Sequence, residues 1–224
     1  MFDSLTLSDL PDRSRKVLRE RSSTRPVLWV VEESGTEAVV KDFSRNGFLY
    51  RHTVGRFLVW REEKAYRRLR GLRGIPALYR VIDGQALVIG RLQGRSLEGI
   101  EKEKRLPGAF FEQLEDLVAR AHARGIAHCD LKRAPNILLG DDGRPYIVDW
   151  SASVSASEFS LFPLDRIYRR FLLDDFNAIT KIQLRHRPDD VSDERKRRYL
   201  HRSAAERLVR SLRDTLRDLL KRVA

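Results

Sequence analysis

The stretch that decides the fold runs over residues 126–153, IAHCDLKRAPNILLGDDGRPYIVDWSAS. Within it, NILL (136–139) and PYIVDW (145–150) are short apolar runs joined by GDDGR, which reads as two strands around a turn. Such a hairpin holds Asn136 at the start of one strand and Asp149 at the end of the other, so that both reach the same rim. An amide oxygen and a carboxylate there are hard oxygen ligands, suited to Mg²⁺ in company with phosphate oxygens. Asp130, in the loop before them, is their neighbour.

The rest of the chain bounds what can be built around this segment. With 224 residues and 42% apolar content, it can form one large domain or a two-lobed one. No run approaches the roughly 18 apolar residues of a membrane-spanning helix, and the start MFDSLTLSDLPDRSRK lacks the basic-then-apolar order of a secretory signal. The expected location is therefore cytoplasmic. The single cysteine, Cys129, excludes an internal disulfide framework, and five scattered histidines give no metal-ligand cluster of the zinc type. A formal net charge of +12 attracts phosphorylated ligands, nucleic acid or an anionic membrane face, although solvated Arg-rich helices account for it more simply. No basic segment reads as the interleaved aromatic type that stacks on single-stranded nucleic acid, so nucleic acid is not the expected partner.

Two strands are expected at PVLWVVEE (26–33) and EAVVKDF (37–43), closed by a tight turn at SGT. GRFLVWREEKAYRRLRGL then carries Ala65, Tyr66, Leu69 and Leu72 at helical spacing before Gly74 and Pro76 stop it. ALYRVIDGQALVIGRL is a second strand pair about Asp83 and Gly84. Near Gly94 charges and glycines replace β-branched residues, which divides the chain into residues 1–93 and 94–224. AFFEQLEDLVARAHARG puts Leu114, Leu117, Val118 and Ala121 on one helical face, with Gly125 placed as its C-terminal cap. From SDERKRRYL onward, Leu200, Ala204, Leu208, Leu212, Leu216, Leu219 and Val223 recur every three or four residues among Arg and Lys, which predicts one long basic amphipathic helix, or two. The fold class is α+β: a small antiparallel sheet with one helix, followed by a mainly helical part.

The order His128-x-Asp130-Leu131-Lys132, then Asn136 with an apolar run, then Asp149, resembles the catalytic core of protein-kinase-like enzymes. That resemblance implies a bilobal fold, ATP and Mg²⁺ as cofactors, and a Lys on the third strand of the smaller lobe, which AVVK supplies as Lys41. Its partner is a Glu on the following helix, Glu62 or Glu63. Glu62 lies three, four and seven residues before Ala65, Tyr66 and Leu69, on the face expected to be buried, so helical phase favours it. The implied roles follow the needs of phosphoryl transfer. Lys41 holds the α- and β-phosphates, Asp130 orients the acceptor hydroxyl and takes its proton, and Lys132 neutralises the moving phosphate; Asn136 and Asp149 bind Mg²⁺. Val39 and Leu138 cover the adenine, Ile89 gates its pocket, and the backbone near Arg91 and Leu92 faces it. The resemblance covers residues 26–152. It looks closest to the small bacterial lipopolysaccharide-core kinases, which phosphorylate Kdo or heptose, and to the RIO-type kinases. A lipid-linked core sugar or a protein Ser or Thr is then the acceptor, and the basic C-terminal helix could rest on the anionic inner leaflet.

Three features depart from the pattern. Asn136 follows Asp130 by six residues instead of five, so the loop must absorb one more, and Pro135 predicts a rigid, extended path there. Asp149 is followed by Trp150 and Ser151 where Phe and Gly are usual, which restricts flipping of that segment. In place of a glycine-rich loop stands RERSSTRP, leaving Ser22, Ser23, Thr24 and backbone amides to cover the phosphates. These departures motivate the alternative of a catalytically silent, nucleotide-binding scaffold. Retention of Lys41, Asp130, Asn136 and Asp149 argues for an enzyme. His128 reads as a packed residue bracing the loop and Cys129 as a small, buried thiol. Asp175 reads equally as a loop brace or an exposed helix charge.

Overall fold

A computed structural model describes residues 1–200. Among the described residues the chain divides into two compact units, the first formed by Met1–Lys64 and Pro76–Arg91 and the second by Ala65–Ile75 and residues 92–200.

In the first unit a short helix α1 (Leu10–Arg13) leads into β1 (Ser14–Arg19), β2 (Val27–Glu33) and β3 (Thr36–Asp42); α2 (Phe48–Tyr50) and a π-helical turn (Arg51–Gly55) precede α3 (Arg56–Arg68), and β4 (Leu78–Ile82) and β5 (Ala86–Gly90) follow. The strands form one antiparallel sheet in the order β1-β2-β3-β5-β4. The β2–β3 and β4–β5 hairpins match the sequence pattern, whereas β1 adds a strand where its short, charged composition gave no signal.

Register assigns the faces of this sheet. Val39 lies opposite Ile89 and Lys41 opposite Leu87, so these four share one face, because directly paired antiparallel residues project together. The intervening Ala38, Val40, Ala86 and Val88 project to the other face. There they pack with Phe2, Leu5 and Leu10, which seal that side as a plug. The plug leaves the Val39–Lys41 face to α3, whose Val59 packs with Phe43, Tyr50 and Leu87.

The second unit contains β6 (Gly94–Ser96), α4 (Ile100–Glu103), α5 (Gly108–Ala123), β7 (Ile126–Ala127), β8 (Ile137–Gly140), β9 (Pro145–Ile147), β10 (Val154–Ser155), α6 (Leu164–His186) and α7 (Asp193–Leu200). On α5 the expected stripe of Leu114, Leu117, Val118 and Ala121 is buried, and Gly125 takes the left-handed conformation (φ 72°) just beyond the helix end. Gly94 lets β6 approach β8 closely: a Cβ there would sit 2.4 Å from the Leu139 carbonyl oxygen. The 23-residue α6 contributes Ala178, Ile179 and Ile182 to the core. The basic helix expected beyond Leu200 lies outside the described residues.

Candidate active site

In the first unit, Lys41 and Glu62 form a buried, two-pronged ion pair, with Nζ donating to Oε1 at 2.9 Å and Oε2 at 2.7 Å. Strand alternation aims Lys41 at α3, and helical phase aims Glu62 at the sheet. The choice between Glu62 and Glu63 is decided by burial: Glu62 is buried and Glu63 is half-exposed. Ile89 is buried, whereas Val39 is half-buried. The Arg91 N–H donates to the Glu37 carbonyl (3.2 Å), and its guanidinium pairs with the Glu37 carboxylate (2.7 Å), which ties the end of β5 to β3.

The segment RERSSTRP, which links β1 to β2, is held from the chain just beyond β3. Asn46 Nδ2 donates to the carbonyls of Ser22 (2.8 Å), Ser23 (3.3 Å) and Arg25 (3.1 Å), and the Tyr50 hydroxyl donates to that of Thr24 (2.9 Å). Two buried side chains thus fix this connection. Sequence reasoning missed both; an Asn and a Tyr after a strand give no signal of binding a loop some 20 residues earlier.

In the second unit, β8 and β9 form the expected hairpin, and the Val148 N–H donates to the Asn136 carbonyl (2.9 Å), bringing the start of one strand beside the end of the other. The additional residue between Asp130 and Asn136 is taken up in a tight turn rather than an extended path. Arg133 N–H donates to the Asp130 carbonyl and Asn136 N–H to that of Arg133, with Pro135 inside a 3₁₀ turn over Ala134–Asn136. A fixed φ and a missing N–H suit Pro to the start of such a turn. Asn136 Nδ2 donates back to the Asp130 carbonyl (3.0 Å) and lies 3.5 Å from its carboxylate. With the nitrogen so engaged, the side-chain oxygen is the atom offered to a cation, so the residues fit a hard metal ion. Lys132 and Leu138 are half-buried.

Burial pushes the Asp130 carboxyl above the usual carboxylate range, and the charge of nearby Asp149 adds to the rise; Arg133, 3.5 Å away, opposes it. Asp149 occupies the left-handed region (φ 63°, ψ 64°), as does Cys129 (φ 67°), and strained backbone of this kind gathers at functional sites. The Ser151 hydroxyl donates to Asp149 Oδ1 (2.8 Å).

The loop that carries Asp130 is suspended from Asp175 on α6. The buried carboxylate accepts from the backbone N–H of His128 (2.7 Å) and of Cys129 (2.9 Å), and His122 Nε2 donates to it at 2.9 Å. This resolves the open reading of Asp175 in favour of a brace. His128 is buried as expected. It donates through Nε2 to the Val148 carbonyl (3.0 Å) and accepts at Nδ1 from the Asp130 N–H (3.2 Å). A carbonyl can only accept and an amide N–H only donate, so the neutral Nε2-protonated ring is fixed, with no nitrogen left to act as a base. Its ring lies 4.6 Å from that of buried Trp150. Beyond Ser153 the chain pairs at once as β10 with β7, locking the segment after Asp149. Cys129 is half-buried rather than buried: its left-handed backbone turns both N–H groups toward Asp175, which leaves the thiol at the rim of the loop.

No family model matches the chain. A 3-deoxy-D-manno-octulosonic acid kinase of Xylella fastidiosa strain M12 is 28% identical over 173 residues, covering 66% of this chain and 67% of the relative. The protein of the same name from strain 9a5c is 27% identical over 168 residues. Among solved structures, the Rio2 kinase of Chaetomium thermophilum, in complex with ADP/Mg²⁺-phosphoaspartate, superimposes on 83% of the chain with a TM-score of 0.58 and 18% identity. The fold is protein-kinase-like, and the sequence is similar to kinases of 3-deoxy-D-manno-octulosonic acid. It is an enzyme of the kinase class, similar in sequence to Kdo kinases and in fold to Rio2, of whose chain it spans 60%. This kinase has a buried Lys–Glu pair, a braced loop and a pinned connection between β1 and β2.

Proposed function

We propose that the protein is an ATP- and Mg²⁺-dependent phosphotransferase that moves the γ-phosphoryl group of ATP to a sugar hydroxyl. The observation that carries this reading is the buried pair of Lys41 and Glu62. A buried ion pair is a poor source of stability, because desolvation of both charges offsets most of their attraction. A well-packed apolar pair would serve the fold as well, so the pair is best understood as holding an ammonium ready for phosphate. The same argument disfavours a catalytically silent scaffold.

In this mechanism Lys41 binds the α- and β-phosphates and Glu62 orients it. Val39 and Leu138 cover the adenine, with Ile89 and the backbone at Leu92 at its edge. Asn136 and Asp149 hold Mg²⁺, which when bound neutralises phosphate oxygens. Asp130 accepts a hydrogen bond from the acceptor hydroxyl and takes its proton as the new O–P bond forms and the bond to the leaving ADP oxygen breaks. Lys132 neutralises charge on the transferring group. The raised basicity of Asp130 suits it to this proton better than an ordinary exposed carboxylate.

The curated relatives are named as kinases of 3-deoxy-D-manno-octulosonic acid, which favours a sugar acceptor. A protein Ser or Thr is the second reading, supported by the likeness of fold to Rio2. Incubation with γ-labelled ATP and either a membrane or a protein extract decides between them, with Asp130→Asn and Asp149→Ala as controls. Label is expected in the glycolipid fraction for wild type and absent for both variants. Label in protein alone would overturn the sugar reading, and no loss of ATP's γ-phosphate under any condition would overturn the enzyme.

A further inference from the structure

The helix that turns Glu62 inward presents a different chemistry outward. Phe48 and Leu49 on α2 and Phe57 and Trp60 on α3 are each at least half exposed, while Val59 and Glu62 on the inner side are buried. Each exposed ring carries a cation: Arg51 stands 5.4 Å from the Phe48 ring centre, Arg61 5.5 Å from that of Phe57 and Lys64 5.6 Å from that of Trp60. The Phe57 and Trp60 rings face one another at 5.8 Å.

We propose that this outer face of α2 and α3 seats on an anionic phospholipid bilayer. Large rings beside Arg and Lys are what the lipid headgroup region accommodates, with rings at the acyl boundary and cations reaching phosphates. The net charge of +12 draws the whole molecule toward such a surface. A single-stranded nucleic acid fits less well. Stacking needs open ring faces, and here the chain's own cations and the Phe57–Trp60 contact occupy them. A second copy fits less well too, since an isologous contact through this face would set Arg51, Arg61 and Lys64 against their own equivalents. The aromatic and basic residues of this segment were not recognised together in the sequence, because helical folding is what gathers them on one side. Membrane docking through α3 goes beyond the phosphotransferase reading and needs none of it.

Trp60 supplies the probe, since Trp150 is buried and Trp29 is half-buried. The full-length protein is mixed with vesicles of equal parts phosphatidylglycerol and phosphatidylcholine, or of phosphatidylcholine alone, without nucleotide. Binding to the anionic vesicles is expected, with a blue shift of tryptophan emission that Trp60→Tyr removes and added salt weakens. Arg61→Glu with Lys64→Glu, and separately Phe57→Ser with Trp60→Ser, should each weaken binding by on the order of tenfold or more while leaving thermal unfolding unchanged. Equal binding to both vesicle types, or anionic binding indifferent to both double variants, would overturn the proposal. So would a dimer, or a complex with single-stranded RNA, that the Phe57→Ser/Trp60→Ser variant abolishes in place of vesicle binding. Because no phosphoryl transfer is measured, failure here leaves the assigned reaction standing.

Discussion

Replacing Asp175 by Ala should disable the loop that carries Asp130 from a distance. The carboxylate accepts two backbone N–H groups of the loop, at His128 and Cys129, and one ring N–H from His122. A buried donor stranded without an acceptor costs about 1–3 kcal/mol, so two stranded amides amount to roughly 2–6 kcal/mol before the loop relaxes or admits water. We expect about 3 kcal/mol of lost stability by urea denaturation, and a fall in kcat of at least ~100-fold, since displacing a reacting group by about 1 Å costs that much. His122→Ala is the control. It removes one of the three donors without touching the loop, so it should cost about 1 kcal/mol of stability and leave kcat within about twofold. Asp175→Asn should fall between, because its oxygen still accepts one amide while its NH₂ opposes the other. A folded Asp175→Ala enzyme with wild-type kcat would refute the bracing argument. So would a parallel loss of kcat in His122→Ala, which would mean that general packing, not the two amides, is what matters.

Truncating Glu62 to Ala removes the buried carboxylate that pairs with Lys41 and should destabilise by about 3–5 kcal/mol, whereas Lys41→Met with Glu62→Leu should restore stability to near wild type and remain inactive; denaturation midpoints beside activity would show whether the pair serves function rather than folding. The acid limb of kcat/KM should lie above the ordinary carboxylate range, because Asp130 must be ionised to act and its pKa is raised. Arg133→Ala removes a neighbour that favours the ionised form, so it should move that limb to higher pH; a shift to lower pH would contradict the assignment. Cys129→Ala should keep activity within about twofold, while Cys129→Val should lose on the order of 1–2 kcal/mol of stability, because a β-branched side chain tolerates positive φ poorly. Loss on the scale of Asp130→Asn in the alanine variant would show a chemical role for the thiol.

The Lys41–Glu62 pairing was implied by the resemblance, with helical phase choosing Glu62 over Glu63; the strand hairpins and the α5 stripe with Gly125 behind it were legible because each follows from a local period, two for a strand and near 3.6 for a helix. Asn136 and Asp149 were legible together for the same reason, since an apolar-turn-apolar pattern fixes which ends of two strands meet. What depended on distant partners was not. Asp175 accepts from residues 46 and 47 positions earlier, and no local pattern distinguishes it from neighbouring Asp174. Asn46 and Tyr50 pin a loop through its carbonyls, which are present at every residue and leave no trace in composition. Phe2, Leu5 and Leu10 follow neither period, so their place as a plug beneath the sheet appears only once the sheet exists.

Sequence alone thus determined the type of enzyme and nominated its reactive groups, because side-chain chemistry and short-range periodicity are written residue by residue. The tertiary structure decided which groups are held rigid and by what. It set the tautomer of His128, the half-exposed position of the Cys129 thiol, the tight turn that absorbs the additional residue before Asn136, and the double character of α3, with Glu62 within and aromatic rings without. Apart from that turn, which local hydrogen bonds close, each of these rests on a hydrogen bond or a burial contributed by a remote part of the chain, and such contacts exist only when the chain has folded.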